Sequence, residues 1–281
     1  MLAGIDPYPV VGPGLQFDWP WELRYPGPAF VAILPAVWLP EWLASVLFVS
    51  GSTFLLAYGM TRDSWHRIPA LFSGPFILAA GAAQWSPLFT ATWFIPQLSV
   101  IFAIKPTVGL AAFLFSPTST HRRYAAIGGA VLLLLSMLLF PSWPESWYEN
   151  VTSTSDYSSP LLQTGGFLIA LVLLRWRRRE AWIVFLMAVI PQAHSIYDVL
   201  ILLVLVPATY REAVFLAAAA NLGFILMIIP ENDGQPYRDL LGTFRVLTCY
   251  LPSVLLILRR PNEPGLADKP VLNPVPAGTR A

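Results

Sequence analysis

The residues of this sequence that can do chemistry are few, and long apolar runs separate them. Carboxylates, an arginine and tyrosines come near the N-terminus, a glutamine and a lysine interrupt an apolar stretch, and a histidine, a tyrosine and an aspartate lie together late in the chain. A carboxylate can deprotonate a hydroxyl and a cation can hold a phosphate, while aromatic faces stack on sugar rings. The pattern therefore points to sugar or lipid-phosphate handling. The candidate site residues are Asp6, Tyr8, Asp18, Arg24, Tyr25, Gln84, Lys105, His194, Tyr197 and Asp198.

Several of these residues also have a plainer interpretation. Asp6 can cap the turn before Pro7, and Lys105 can extend to the membrane interface along its aliphatic stem. His194 can be a corner histidine with satisfied hydrogen bonds, and Asp198 a favourable partner of a helix dipole. Tryptophans can equally form an interfacial aromatic belt, namely Trp19, Trp21, Trp143 and Trp147.

Composition indicates the class of protein. Hydrophobic residues make up 56% of the 281 residues and charged residues only 12%, which leaves too little polar surface to coat a soluble globule of this length. We therefore predict an all-α, polytopic bundle of transmembrane helices in a lipid bilayer. The net charge of +1, with basic residues spread among loops, gives no sign of a nucleic-acid partner. A single cysteine, Cys249, excludes an internal disulfide.

Residues 67–106 are almost wholly apolar, yet Gln84-Trp85-Ser86 and Lys105-Pro106 interrupt them. Irregular backbone survives inside a bilayer only against protein or a water-filled cavity. These interruptions therefore predict short, broken helices around an outward-facing polar site. The alternative is two longer helices that are kinked at Pro87, Pro96 and Pro106.

The sequence divides into three regions. Residues 1–27 are rich in proline and glycine and are expected to form an outer, periplasmic loop. Residues 28–260 are expected to form a transmembrane domain of about 8–10 helical segments. Within it, Pro28–Leu39 is too short to span and is predicted to be a re-entrant or interfacial helix, and 141–160 to be a long loop. Residues 261–281 are proline-rich and are expected to be a disordered tail.

The basic residues predict an orientation. If the loops at 61–67, 117–123, 175–180 and 207–212 share one side with the C-terminal tail, that side holds thirteen of the seventeen lysines and arginines. We predict that the protein lies in the cytoplasmic membrane of the cell. The positive-inside rule then places this basic side, with the C-terminus, in the cytoplasm. The remaining four fall on or towards the outer face: Arg24, Lys105, Arg238 and Arg245.

Five short segments together resemble the family 87 glycosyltransferases. They are LAGIDPYPVVGPG, RYPGPAFVAILPAVWLP, AAQWSP, AIKPTVGL and PQAHSIYDVLILLVLVPA, and they extend over about residues 2–210. Members of this family are integral membrane enzymes of the GT-C type that take mannose or a related sugar from a polyprenyl-phosphate donor on the outer side of the membrane. The resemblance implies a GT-C-like fold and transfer of a mannose-like hexose to an acceptor hydroxyl on a lipid or glycan.

The resemblance also implies roles for individual residues. Asp6, Pro7 and Tyr8 would belong to the outer loop near the acceptor pocket, and Gln84 would line the donor groove. Lys105 would face the lipid phosphate. The pocket would be closed by His194, Tyr197 and Asp198.

The sequence differs from the family pattern at the expected catalytic base. Family members usually begin with a transmembrane helix and an acidic residue upstream of the G-x-D-P-Y segment, whereas this sequence starts at that segment. We expect either a helix missing upstream, or a fragment or degenerate relative, or transfer of the base role to Asp6 or Asp18. Neither a D-x-D pair nor a histidine cluster with ligand spacing is present, so we predict no metal or other cofactor.

A non-catalytic membrane protein is the alternative from another class, either a lipid or solute carrier or an assembly subunit. Broken helices around one polar cavity also occur in transporters. A transporter is expected to place polar groups at the midplane and on both faces, whereas the predicted cytoplasmic side offers chiefly arginines in short loops. The sequence therefore favours the enzyme.

Overall fold

The structure, a computed structural model, describes residues 6–18, 23–153, 157–193, 196–228 and 238–263. It is 75% helical, which confirms the all-α prediction. The strands in the described residues have two residues each: β1 (Val11–Gly12) pairs in parallel with β2 (Phe17–Asp18), and β3 (Tyr157–Ser158) pairs antiparallel with β4 (Gln192–Ala193).

Within the described residues, four helical segments are long and apolar enough to cross a membrane. They are α2 (Glu41–Asp63), α6 (Ser119–Leu139), α10 (Tyr210–Ile228) and the composite span Leu240–Leu258. With 19 to 23 residues each and about 1.5 Å per residue, they match a hydrocarbon core of roughly 30 Å. The exposed rings of Trp38 before α2, Trp42 in its first turn and Trp65 after it are typical of aromatic belts at two interfaces. These features indicate a membrane protein.

The composite span is not one regular helix. It combines most of α11 (Arg238–Arg245), a π-helical turn at Val246–Tyr250 and α12 (Leu251–Leu258). Cys249, the cysteine of this chain, lies in the π-helical turn and is fully buried.

Shorter segments fill the space between the spans. Between residues 65 and 114 the structure has short, broken helices and not two longer kinked helices. Proline occurs at the first or second position of three helices in this region, where its missing N–H costs no hydrogen bond. These helices are α3 (Gly74–Gly81), α4 (Ser86–Ala91) and α5 (Pro106–Leu114). The segments are α1 (Gly27–Ile33), 3₁₀ helices at Leu34–Ala36, Trp65–Phe72, Pro96–Ile104, Pro160–Leu162, Gly166–Arg175 and Tyr197–Val199, and α3 (Gly74–Gly81), α4 (Ser86–Ala91), α5 (Pro106–Leu114), α8 (Arg179–Val189) and α9 (Leu200–Leu205).

One prediction about the loops was wrong. The segment predicted as a long loop at 141–160 contains a helix, α7 (Trp143–Ser153). Pro144 is at its second position, which proline tolerates. The helix is amphipathic, because Trp143 and Trp147 lie one turn apart and face the protein, while Tyr148 and Glu149 are exposed.

Of the three apolar clusters in the described residues, the two larger ones hold most of the segments together. The larger one is centred on α9, whose residues Leu200–Val204 are nearly all fully buried, and it draws in α2, α8, α10 and α12. The smaller cluster joins α5 and α6 to the 3₁₀ helix Pro96–Ile104 through residues such as Phe102 and Ala125. Lys105 directly follows Ile104 of this smaller cluster.

A network of arginines ties one end of the molecule together. The Arg178 guanidinium is 2.6 Å from the Glu180 carboxylate, and Arg260 pairs with both Glu180 and Glu212. Further bonds join loops distant in sequence, from Arg179 Nη1 to the Pro117 carbonyl, His66 Nε2 to the Pro207 carbonyl, and Arg175 Nη2 to the Leu258 carbonyl. These bonds join the four loops predicted to share one side, while most of the predicted tail lies outside the described residues. Each of the four spans named above begins or ends at this end.

Gly109 allows α5 to pack against the preceding 3₁₀ helix, and this contact gives a first prediction. A Cβ at Gly109 would lie 2.1 Å from the backbone oxygen of Phe102, whereas a Cβ at Gly51 in α2 would meet nothing within 4 Å. We expect Gly109→Ala to lower the free energy of unfolding by about 1–3 kcal/mol, and Gly51→Ala to be neutral or slightly stabilising. Thermal unfolding of the two purified variants in detergent checks this, and equal melting temperatures would contradict it.

Candidate functional site

Lys105 is the centre of the candidate site. It links the 3₁₀ helix Pro96–Ile104 to α5 in an extended backbone conformation, with φ of −137° and ψ of 82°. Pro106 causes this break, because the residue before a proline is disfavoured in the helical conformation. One apolar segment ends and the next begins at this break, and the cationic side chain of Lys105 points into the protein. The side chain of Lys105 is only 13% exposed.

The ammonium of Lys105 forms a buried ion pair. Its Nζ atom is 2.6 Å from Oδ1 of Asp198, whose side chain is 5% exposed. The same carboxylate oxygen accepts a hydrogen bond of 2.8 Å from the hydroxyl of Ser86, at the start of α4. Asp198 lies in the short 3₁₀ helix that leads into α9, so the pair connects three elements far apart in sequence.

Two tyrosine rings complete the surroundings of the ammonium. The Nζ atom lies 4.6 Å from the centroid of the Tyr197 ring and 5.9 Å from that of Tyr25. The face of an aromatic ring attracts a cation at such distances. The rings and the carboxylate together favour the charged ammonium.

Gln84 joins this set through a strained corner. Ala83 has φ of +46°, a left-handed conformation that costs a residue with a side chain of order 1–3 kcal/mol. The corner directs the Gln84 side chain towards Tyr25, whose hydroxyl donates a 2.5 Å hydrogen bond to Gln84 Oε1. Strain of this kind occurs at sites where a side chain must be held in one place.

We call these residues the Lys105 group: Tyr25, Gln84, Ser86, Lys105, Tyr197 and Asp198.

The N-terminal segment packs beside this group. The Tyr8 hydroxyl donates a 2.7 Å hydrogen bond to the Tyr25 carbonyl, and the Tyr8 ring packs edge-on against Phe30. The pKa of Tyr8 is raised, first because the ring is buried and second because the Asp6 carboxylate is near. Asp6 accepts a bond from the backbone N–H of Tyr8 at 3.0 Å and another from the Ser146 hydroxyl.

Two cavities adjoin the site. An apolar one of about 380 Å³ is lined by Pro26 and Pro106, the chain neighbours of Tyr25 and Lys105, and by small residues of α6 such as Ala126 and Gly129. A smaller, more polar one of about 200 Å³ is lined by Asp6 and the end of α6. The Trp143 side chain contributes to both cavities and therefore lies between them.

The structure thus places the sequence-predicted residues unevenly. Tyr8, Tyr25, Gln84, Lys105, Tyr197 and Asp198 are joined by direct contacts. Asp6 is linked to them through Tyr8. Asp18 is exposed and accepts a hydrogen bond from the Gly14 N–H. The backbone carbonyl of Arg24 accepts a hydrogen bond from the indole of Trp147. His194 lies outside the described residues. Within the described ranges, no three His, Cys, Asp or Glu side chains form a group that could hold a metal ion.

Sequence reasoning missed two parts of the site. One is Ser86, which belongs to the polar interruption Gln84-Trp85-Ser86 but is not among the sequence-predicted site residues. The other is a buried polar cluster under the group, in which Tyr250 and Gln192 both donate to the Met187 carbonyl and Arg245 lies fully buried in the composite span. A charged residue inside an apolar span is a recognisable signal, and Arg245 could have been singled out by it.

Comparisons with protein-family models, with curated proteins and with solved structures found no match for this chain.

Proposed function

We propose that this chain is an integral membrane glycosyltransferase of the GT-C type, similar to family 87, that transfers a mannose-like hexose from a polyprenyl-phosphate donor to an acceptor hydroxyl. One observation carries the proposal. The buried ammonium of Lys105 is held by a carboxylate and two tyrosine rings, and Pro106 and Pro26, the chain neighbours of Lys105 and Tyr25, line an apolar cavity. This combination of one cation and adjoining apolar space suits a ligand that has a phosphate at the end of a hydrocarbon chain.

The phosphate would bind at Lys105. A phosphate oxygen competes well with a carboxylate for an ammonium, because both make charge-assisted hydrogen bonds. Ser86 already donates to Asp198, so this carboxylate keeps a partner when the ammonium turns towards the ligand. The hydroxyl of Tyr25, held by Gln84, fixes one wall of the phosphate position.

The hydrocarbon chain would occupy the apolar cavity. Its lining residues from α6 are small except for Leu133, and the neighbouring residues Ile127 and Leu134 of the same helix are exposed on a candidate membrane span. A chain in this cavity would therefore continue into the bilayer while its phosphate end reaches the Lys105 group.

The transfer itself would be a single displacement. A carboxylate takes the proton of the acceptor hydroxyl, the hydroxyl oxygen forms a bond to the anomeric carbon, and the bond between that carbon and the phosphate oxygen breaks. The electron pair of the broken bond stays with the leaving polyprenyl phosphate, whose charge Lys105 stabilises. Asp6, which lines the polar cavity on the other side of Trp143, is the base we propose, with Asp18 as the second candidate.

The orientation belongs to the same proposal. The end of the molecule that carries the arginine network would face the cytoplasm with the C-terminus, following the positive-inside rule. The Lys105 group, α7 and the N-terminal segment would then face the outer side of the cytoplasmic membrane. A lipid-linked donor and a lipid or glycan acceptor would be the partners.

Binding and transfer by the full chain in lipid nanodiscs test the proposal. We expect an isoprenyl phosphate to bind at least about tenfold more tightly than the matching isoprenol, because one charge-assisted contact to a desolvated group contributes on the order of 1.5–3 kcal/mol. We also expect labelled hexose to pass from a polyprenyl-phosphate hexose to an acceptor.

Two results would decide against parts of the proposal. Equal affinity for the phosphate and the alcohol would contradict the phosphate site. Selective phosphate binding without transfer to any lipid or glycan acceptor would favour the alternative of a non-catalytic lipid carrier or assembly subunit.

A further inference from the structure

The short extended segment between the N-terminal loop and α1 is held in an unusual way. Its three successive carbonyls, of Leu23, Arg24 and Tyr25, each accept a hydrogen bond from a different side chain. Asn150 Nδ2 donates to Leu23 at 2.6 Å, Trp147 Nε1 donates to Arg24 at 3.1 Å, and the third donor is the Tyr8 hydroxyl at 2.7 Å. Backbone carbonyls in extended segments usually pair with other backbone, so here side chains fix the rotation of each peptide in turn.

Two of the three donors come from α7. Trp147 and Asn150 are three residues apart and therefore lie on the same face of this helix. The helix is docked further by Trp143, whose ring lies so close to Gly27 that a Cβ there would be 2.6 Å from it. The hydroxyl of Ser146 also donates to Asp6. The face of α7 that the protein covers is thus directed at residues 23–27.

Tyr25 is the residue of this segment that belongs to the Lys105 group. Its hydroxyl reaches Gln84 and its ring faces Lys105, so a rotation of its backbone would move both contacts. We propose that Trp147 and Asn150 are positioning residues that hold Tyr25 against Lys105 and thereby set the affinity of the site for a lipid phosphate. This inference rests on the proposed function.

Packing alone does not explain the arrangement. An amphipathic helix can dock through its apolar face, and Trp143 already provides such a contact. The hydrogen bonds to adjacent carbonyls also fix the orientation of the peptide groups of residues 23–25. Such control is useful when the side chain in this segment that reaches the site, that of Tyr25, must be placed accurately.

A double-mutant cycle with Tyr25 tests the inference, using an isoprenyl phosphate as the probe in nanodiscs. Trp147→Phe removes the donor and keeps an aromatic ring in the wall of the apolar cavity, which Trp147 also lines. Asn150 is not among the residues that line this cavity, and Asn150→Leu removes the other donor at similar size. Each is expected to weaken binding about fivefold, the loss expected for one hydrogen bond. In a Tyr25→Leu background, which is itself expected to bind about tenfold more weakly, the same changes are expected to have almost no further effect, because residues that act through one another are not additive.

Controls separate positioning from general loss of structure. Trp38→Phe changes a tryptophan that is 81% exposed and is expected to leave affinity unchanged. Additive losses in the cycle, or unchanged binding by Tyr25→Leu, would overturn the positioning role. Unchanged binding by Lys105→Met would overturn the proposed phosphate site itself, so the two failures are distinguishable.

Discussion

Replacement of Lys105 by methionine is expected to weaken binding of an isoprenyl phosphate about 100-fold and to abolish hexose transfer. Methionine has nearly the same length and no charge, so the change removes the ammonium with little change in volume. A preorganised cation in a desolvated site stabilises a phosphate and its developing charge by a factor of roughly 10²–10³. Affinity for the matching isoprenol is expected to stay within about twofold, because the apolar cavity is unchanged. Titration of both probes into the same nanodisc preparation measures the difference.

Two controls make this result specific. Arg62→Met removes an exposed cation at the end of α2, where its guanidinium contacts only Tyr58 among the partners in the described residues, and is expected to bind normally. Lys105→Arg keeps the charge but not the shape and is expected to retain part of the affinity. Equal affinity of wild type and Lys105→Met for the isoprenyl phosphate would contradict the proposed site.

The sequence contained enough information to select Lys105 and Asp198 but not to pair them. Each is a charged residue beside apolar runs, and such residues rarely lie there without a partner. The pair spans 93 residues, and its geometry depends on how α9 packs against α4. Ser86 shows the same limit, because nothing in its local sequence indicates that a carboxylate from another segment will come within hydrogen-bond distance.

Helix α7 shows how a plain sequence pattern can hide a functional element. Polar residues and a proline in WPESWYENVTS suggested a loop, and its tryptophans suggested a membrane belt. The helix forms because Pro144 lies at a tolerated position and because Trp143 and Trp147 can face the protein together. Its side-chain donors meet carbonyls more than 120 residues earlier in the chain, a contact that only the tertiary structure reveals.

The broken helices were predictable for a different reason. Prolines and isolated polar residues mark the breaks directly, so the corner at Gln84 and the junction at Lys105 could be located from sequence. The π-helical turn in the last span could not, because VLTCY contains no breaking residue before Pro252. A π-helical turn of this kind depends on the neighbouring helices, and such turns often occur at functional sites.

The second large effect is expected on stability, from the partner of Lys105. Asp198→Asn keeps the shape of the side chain and its bond from Ser86 but leaves the buried ammonium without a counter-charge. Removal of one partner of a buried ion pair costs about 3–5 kcal/mol, so we expect a large drop in the melting temperature. Asp63→Asn is the control: it also removes the carboxylate partner of a buried cation, Arg67, but the Asp63 side chain is 48% accessible and Arg67 keeps its bond to the Val204 carbonyl, so we expect a smaller loss.

The double variant Lys105→Met/Asp198→Asn is expected to recover most of the lost stability. Replacing both members of a buried pair is often close to neutral, because no charge remains uncompensated. Thermal unfolding of the wild type, both single variants and the double variant in one detergent measures this cycle, and a double variant less stable than either single would contradict the pairing. The double variant also separates folding from function. If it is stable, binds isoprenol normally and binds isoprenyl phosphate weakly, the affinity was lost through the missing ammonium and not through unfolding.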